Sequence, residues 1–238
     1  MRQLSLSFAF AFGVLVGTSV AQAGSLTDPI AAAPVNRPAP NDFWAGPYVG
    51  VTFGTGSADT HHCDSTCGID TPLSLPIEPE GNVVGIIAGY NWQFNRTVLG
   101  FEASIMNSGM EGASLESPTY SCGGVDIECF ATIDRSATLQ ARAGYAFDRA
   151  LPFVSAGIAW SDFSGGFDDP PFLPSGEVST RHYVFGVGLD YVISDSLQLR
   201  IEGLQFTDPG TLDFSGPDCC SLDENNYKIM RVGLTYSF

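Results

Sequence analysis

Six charged side chains share one parity of alternating segments: Glu102, Arg142, Asp190, Arg200, Glu202 and Arg231, with Gln140 and Gln198 beside them. Three acids against three arginines make a balanced set. A guanidinium pairs with a carboxylate through two parallel hydrogen bonds, which suits confined sites. An eight-stranded barrel is just wide enough for side chains to fill, so such a set is expected to lock into a closed salt-bridge plug; the alternative is an ion path gated by rearrangement of the pairs. A second group is His61-His62-Cys63 followed by Cys67, which suggests a soft metal such as Zn²⁺. No second Cys/His pair with zinc-site spacing follows nearby, and oxidation competes. His61 and His62 are therefore secondary candidates, and no bound metal or other cofactor is expected.

The six cysteines fall as Cys63 and Cys67, Cys122 and Cys129, and the adjacent Cys219 and Cys220. They permit fifteen connectivities, and spacing selects none of them. Local bonds fit the first two pairs, whereas a bond between neighbours is strained, so Cys219 and Cys220 can each reach elsewhere. Disulfides are preferred here over metal. A hydrolytic site would need a positioned histidine. The candidates are His61, His62 and His182, of which His182 is expected to point inward near the outer mouth, with Asp162 or Ser164 in a neighbouring loop as hypothetical partners. Nothing fixes a triad, so no catalytic residue is assigned.

These groups sit in an acidic chain of 238 residues, with 10 Lys+Arg against 26 Asp+Glu and a net charge of -16. Nucleic acid is excluded as a partner, because a phosphate backbone must be met by clustered cations. Charged residues make up only 15%, well below the ~25% of ordinary soluble domains. Something other than charge covers much of the surface.

The elements that position these side chains alternate with period two rather than 3.6. Val84, Ile86, Ala88, Tyr90 and Trp92 occupy one parity, with Gly85, Gly89, Asn91 and Gln93 on the other. The same division runs through 137–147, 183–191 and 230–238, and runs at 48–56, 98–106, 151–160 and 197–206 bring the total to eight. Three connections are short: Asn95-Arg96-Thr97, Asp148-Arg149-Ala150 and Ser194-Asp195. The other four, at about 57–80, 107–135, 161–180 and 207–226, carry 19 of the 26 acids and all six cysteines. Short turns on one side and long loops on the other are the pattern of an outer-membrane barrel. The polar parity is too rich in glycine for a water-facing surface, and the apolar parity is too bulky for a narrow interior. Apolar side chains are therefore expected to face lipid, with small and polar ones filling the lumen. Tyr90, Trp92, Phe94, Tyr145, Phe147, Tyr191, Tyr236 and Phe238 gather at the short-turn end as an interfacial girdle would, with Trp160, Tyr183 and Phe185 toward the other. The fold class expected is all-β: an eight-stranded, antiparallel, up-and-down transmembrane β-barrel.

Residues 1–23 combine Arg2, an apolar run and the exit Ala21-Gln22-Ala23, reading as a cleaved signal peptide. Residues 24–42 are a Pro/Ala-rich periplasmic linker, and 43–238 form the barrel.

Trp44-x-Gly46-x-Tyr48-Val49-Gly50, Ala88-Gly89-Tyr90-Asn91-Trp92-Gln93, Gly186-Val187-Gly188-Leu189-Asp190-Tyr191 and the ending Arg231-Val232-Gly233-Leu234-Thr235-Tyr236-Ser237-Phe238 resemble the small porin-family outer-membrane barrels, the OmpA-like and opacity-type surface antigens. The resemblance covers 44–238. It implies that Phe238 belongs to the signal read by the barrel-assembly machinery. It also implies residence in the outer membrane of a Gram-negative cell, beside lipid and lipopolysaccharide. The expected role is non-enzymatic: envelope integrity, adhesion or antigen display, as a monomer that meets host or surface ligands. A receptor capturing metal or haem through its loops, and a narrow ion channel, are the alternatives.

Overall fold

The computed structural model describes residues 43–63, 75–114, 129–167, 175–207, 212–213 and 221–238. The expected signal peptide and linker lie outside these residues, as do Cys67, Cys122, Cys219, Cys220 and the side chains of His61, His62 and Cys63. The strands are β1 (Gly46–Cys63), β2 (Leu75–Ile77), β3 (Glu80–Phe94), β4 (Thr97–Ser114), β5 (Cys129–Tyr145), β6 (Ala150–Phe167), β7 (Ser175–Val192), β8 (Leu197–Phe206), β9 (Leu212–Asp213) and β10 (Ser221–Ser237). Eight are long. Each pairs antiparallel with the next, and β10 returns to β1 from Tyr48↔Ser237 onward, closing the sheet. The short β2 and β9, which the sequence did not signal, add to the loop-side ends of β1 and β10. The turns Asn95-Arg96 and Asp148-Arg149 begin with a residue at positive φ, 57° and 48°. Asn and Asp tolerate that conformation, so two residues suffice to reverse the strand.

Across the span that all eight long strands share, closure gives each strand a hydrogen-bonded neighbour on both sides, as hydrocarbon requires. Side chains divide as the alternation predicts. Val51, Phe53, Ile86, Phe101, Leu139, Val154, Tyr183, Val187, Val232 and Leu234 are outward and exposed, while Glu102, Gln140, Arg142, Asp190, Arg200, Glu202, Arg231 and Thr235 are buried inside. At Gly157 the neighbouring strand passes so close that a Cβ would lie 2.0 Å from the Leu139 carbonyl oxygen. No larger residue fits there without parting β5 from β6.

The strands run past the expected ends. β1, β4, β6 and β7 each have 18 residues, roughly 60 Å at ~3.3 Å per residue. At a tilt of ~40° this gives about 45 Å of height against an apolar band of ~25 Å. The residues assigned to loops at 57–63, 107–114, 129–135, 161–167, 175–180 and 221–226 are therefore wall. Along this extension the two faces exchange polarity. Outward positions become Thr55, Asn82, Asn107, Arg135, Asp162, Arg181, Gln205 and Lys228, while inward ones become Met110, Ile133, Phe163, Val184, Phe206 and Ile229. Wall beyond the lipid meets water, so its outer face is polar and its inner face packs as in a soluble barrel. Register shifts in β1 at Asp59/His61, in β4 at Asn107/Met110 and in β5 at Ile133/Arg135 all lie in this zone. An inserted residue there bends the strand and adds twist.

Candidate functional site

β7, β8 and β10 form one side of the central interior, where register sets acid against base directly: Asp190 opposite Arg200, and Glu202 opposite Arg231. Glu102 from β4 and Arg142 from β5 face them across the lumen. Arg200 grips Asp190 with one edge of its guanidinium, Nε donating to Oδ1 at 2.7 Å and Nη2 to Oδ2 at 2.9 Å, and its Nη1 donates to Glu102. Arg142 donates from Nη2 to Asp190 Oδ2 at 2.7 Å and lies 3.5 Å from Glu102. Arg231 donates from Nη2 to Glu202 Oε2 at 2.6 Å and to Glu102 Oε1 at 3.2 Å. Glu102 therefore meets all three arginines. The six groups form one connected network, and each is at most 5% exposed.

Two aromatic residues that the sequence reading did not single out complete the layer. Tyr48 of β1 donates its hydroxyl proton to Glu102 Oε2 at 2.7 Å and accepts from Arg142 Nη1 at 2.9 Å. The Phe153 ring of β6 lies 4.0 Å from the Arg142 guanidinium carbon and 5.1 Å from that of Arg200. Cation–π contact supports the flat faces that hydrogen bonds leave bare. Gly89 of β3 makes the room, since a Cβ there would meet the Tyr48 ring at 2.4 Å. Tyr48 was detectable, because it falls on the parity opposite Val49, Val51 and Phe53. Phe153 was not, because both parities of β6 are apolar.

Toward the loops the polar interior continues briefly. Ser155 donates to Gln140 at 2.8 Å, Gln140 to Thr138 at 3.1 Å, and the hydroxyls of Ser104 and Thr138 lie 2.7 Å apart. The hydroxyls of Ser136, Ser161 and Tyr227 then form a triangle with sides of 2.6 to 3.1 Å. Above this the lumen is apolar: Met106, Met110, Ile133, Phe163, Val184, Leu204, Phe206 and Ile229 pack with Tyr227, whose ring stacks on Phe206 at 4.0 Å. This corrects the expectation that small and polar side chains fill the whole lumen, for the polarity exchange described above puts apolar residues inside. At the short-turn end Trp44, Val98, Ala146, Leu151 and Val192 form another buried apolar layer.

His182 is buried on the inward face, with Nδ1 2.7 Å from the Thr207 carbonyl oxygen and its ring 5.5 Å from those of Phe163 and Tyr227. The partners suggested for it are elsewhere: Asp162 and Ser164 take the outward parity of β6, and Ser164 donates to Asp134 at 2.7 Å. His182 and Ser164 thus face opposite sides of the wall, so the suggested pairing does not form. Cys129 is buried at the start of β5. The backbones of His61, His62 and Cys63 pair with Asp223, Leu222 and Ser221, and their side chains lie outside the described residues. Phe238 is exposed, its amide donating to the Pro47 carbonyl at 3.2 Å and its ring standing edge-on to Tyr236.

A family model for the outer membrane protein beta-barrel domain matches residues 11–238. The 31 kDa outer-membrane immunogenic protein of Brucella melitensis is 29% identical over 218 residues, spanning 87% of this chain and 89% of its own. The 25 kDa outer-membrane immunogenic protein of Brucella abortus is 28% identical over 214 residues, spanning 88% of this chain and 86% of its own. The outer membrane protein OprG from Pseudomonas aeruginosa superimposes with a TM-score of 0.49 at 12% identity, covering 82% of this chain and 96% of that one.

Proposed function

We propose, since this chain belongs to the outer membrane protein beta-barrel domain family, that it is a closed surface barrel: an outer-membrane protein that displays its loops and conducts nothing. One observation carries the reading. The central charged groups are all partnered, and an apolar layer lies on either side of them. An ion entering would have to break several buried pairs and cross a constriction lined largely by apolar side chains, each step costly at low dielectric. Across the membrane-spanning part the closed sheet offers no edge at which a second copy can add, which supports a monomer. The names of the Brucella relatives support antigen display. Arg135, Arg181 and Lys228 face outward where the outer face turns from apolar to polar, which supports contact with lipopolysaccharide phosphates. The disulfide at Cys129 supports covalent bracing beside the outer end of β5. Recognition of Phe238 by the assembly machinery belongs to the same reading.

The test is planar-bilayer recording of purified protein, with insertion verified by a mobility shift on boiling. A silent bilayer is expected. Reproducible unitary steps from folded protein would sink the closed reading in favour of a channel.

A further inference from the structure

The outward face is not uniformly bulky. In one cross-strand row Phe101 of β4, Ala141 of β5, Ala156 of β6 and Phe185 of β7 stand side by side. Two methyl groups between two rings leave a trough. It continues toward the short-turn end past Ala143 and Trp92, with a volume of about 870 Å³. Beneath it are the turns Asn95-Arg96 and Asp148-Arg149, which join β3 to β4 and β5 to β6. Arg96 and Arg149 are the only cations at that end among the described residues, both exposed, and neither makes an ion pair with a described residue. In a chain carrying -16 overall, two cations at the foot of one apolar trough form a charge-complementary pair for a single anionic headgroup.

We infer that this trough binds one glycerophospholipid of the periplasmic leaflet, its phosphate between Arg96 and Arg149 and an acyl chain along Ala143, Ala141 and Ala156. Dimensions agree. Five residues separate Arg96 from Phe101 and seven separate Arg149 from Ala156, roughly 16 and 23 Å along strands at ~3.3 Å per residue. Projected at a ~40° tilt these become about 13 and 18 Å, bracketing the ~15 Å depth of one hydrocarbon leaflet. A guanidinium presents a planar pair of donors to phosphate, and Trp92 lies at the depth where an interfacial indole belongs. Asp148 is the one acid in these two turns, so the arginines retain net positive charge. A second trough of about 520 Å³, over Val51, Ile86, Ala88, Ala103 and Leu234, has no such pair of cations at its foot. An apolar contour and a pair of cations coincide only in the first, since Arg96 alone stands near the second.

The inference rests on the membrane-spanning reading, and the experiment keeps the two apart. Protein extracted from outer membranes in a mild detergent is weighed intact by native mass spectrometry, and its boiling shift and membrane fractionation are recorded on the same preparation. The wild type should retain one glycerophospholipid. R96Q/R149Q should reduce the retained fraction at least fivefold, and A141L/A156L should do the same by filling the trough. K228Q removes an equal charge at the opposite rim and should retain lipid as the wild type does. Equal retention by all variants would overturn the site, as would an adduct with the mass of lipopolysaccharide. Loss of the boiling shift or of membrane fractionation in the wild type would instead overturn the membrane reading.

Discussion

Replacing Arg200 with glutamine tests whether the interior network holds the barrel together. Arg200 is 1% exposed and donates three hydrogen bonds, two to Asp190 and one to Glu102. R200Q removes one of three buried positive charges and leaves three buried carboxylates to the other two arginines. Breaking a buried ion pair from one side costs about 3–5 kcal/mol. The lower end applies here, because Arg142 still reaches Asp190 at 2.7 Å and Arg231 still reaches Glu102 at 3.2 Å. A loss of about 3 kcal/mol should move the urea midpoint down by roughly 1–3 M at an m-value of ~1–3 kcal/mol/M. The measurement is reversible unfolding in lipid vesicles, followed by the fluorescence of Trp92 and Trp160, which face outward, and of the buried Trp44. Adding D190N restores charge balance, so R200Q/D190N should cost less than the two single changes summed, by about 1–3 kcal/mol. A midpoint for R200Q within ~0.3 M of wild type, or strict additivity, would show that the pairs are incidental to the fold.

Three further outcomes are expected. F206A removes a ring that is fully buried and stacked on Tyr227; it should cost about 3–5 kcal/mol in the same titration, and R142A/F206A should pass measurable current where R142A does not, because one layer stays shut in the single variant. G157V should abolish the boiling shift, since its side chain must enter the 2.0 Å gap to the Leu139 carbonyl, whereas V154A, on the lipid face of the same strand, should leave the shift intact. Cysteine placed at Leu139 should react with a bilayer-restricted probe and cysteine at Gln140 should not, because the first is 50% exposed on the outer face and the second is buried; the reverse labelling would invert the wall.

Much of this fold was legible before any coordinates. Eight alternating runs, three short turns and four long connections define an up-and-down meander, and the parity of Leu139 against Gln140 or Leu234 against Thr235 gives the facing. The same parity placed Glu102, Arg142, Asp190, Arg200, Glu202 and Arg231 on one side of their strands. Adjacency of Asp190 and Arg200 follows from a hairpin register, but the convergence of Glu102 on all three arginines does not, since it depends on curvature across the lumen. The strand ends were misread for a definite reason. Alternation was judged by apolar side chains facing out, and beyond Phe53, Ile105 and Trp160 that rule reverses, so Met110, Ile133 and Phe163 looked like loop. His182 was placed inward correctly, but its proposed partners lay on extended wall rather than in a loop.

The height of that wall bears on what an outside observer meets. At about 45 Å against a ~25 Å band, the 18-residue strands β1, β4, β6 and β7 rise some 20 Å clear of the hydrocarbon. The outer ends of β1, β4 and β6 therefore stand above the headgroup layer, whereas β8 stops at Phe206, near the top of the apolar band. Substitutions along the outer ends of β1, β4 and β6 can therefore change what the rim presents without disturbing the ion cluster far below.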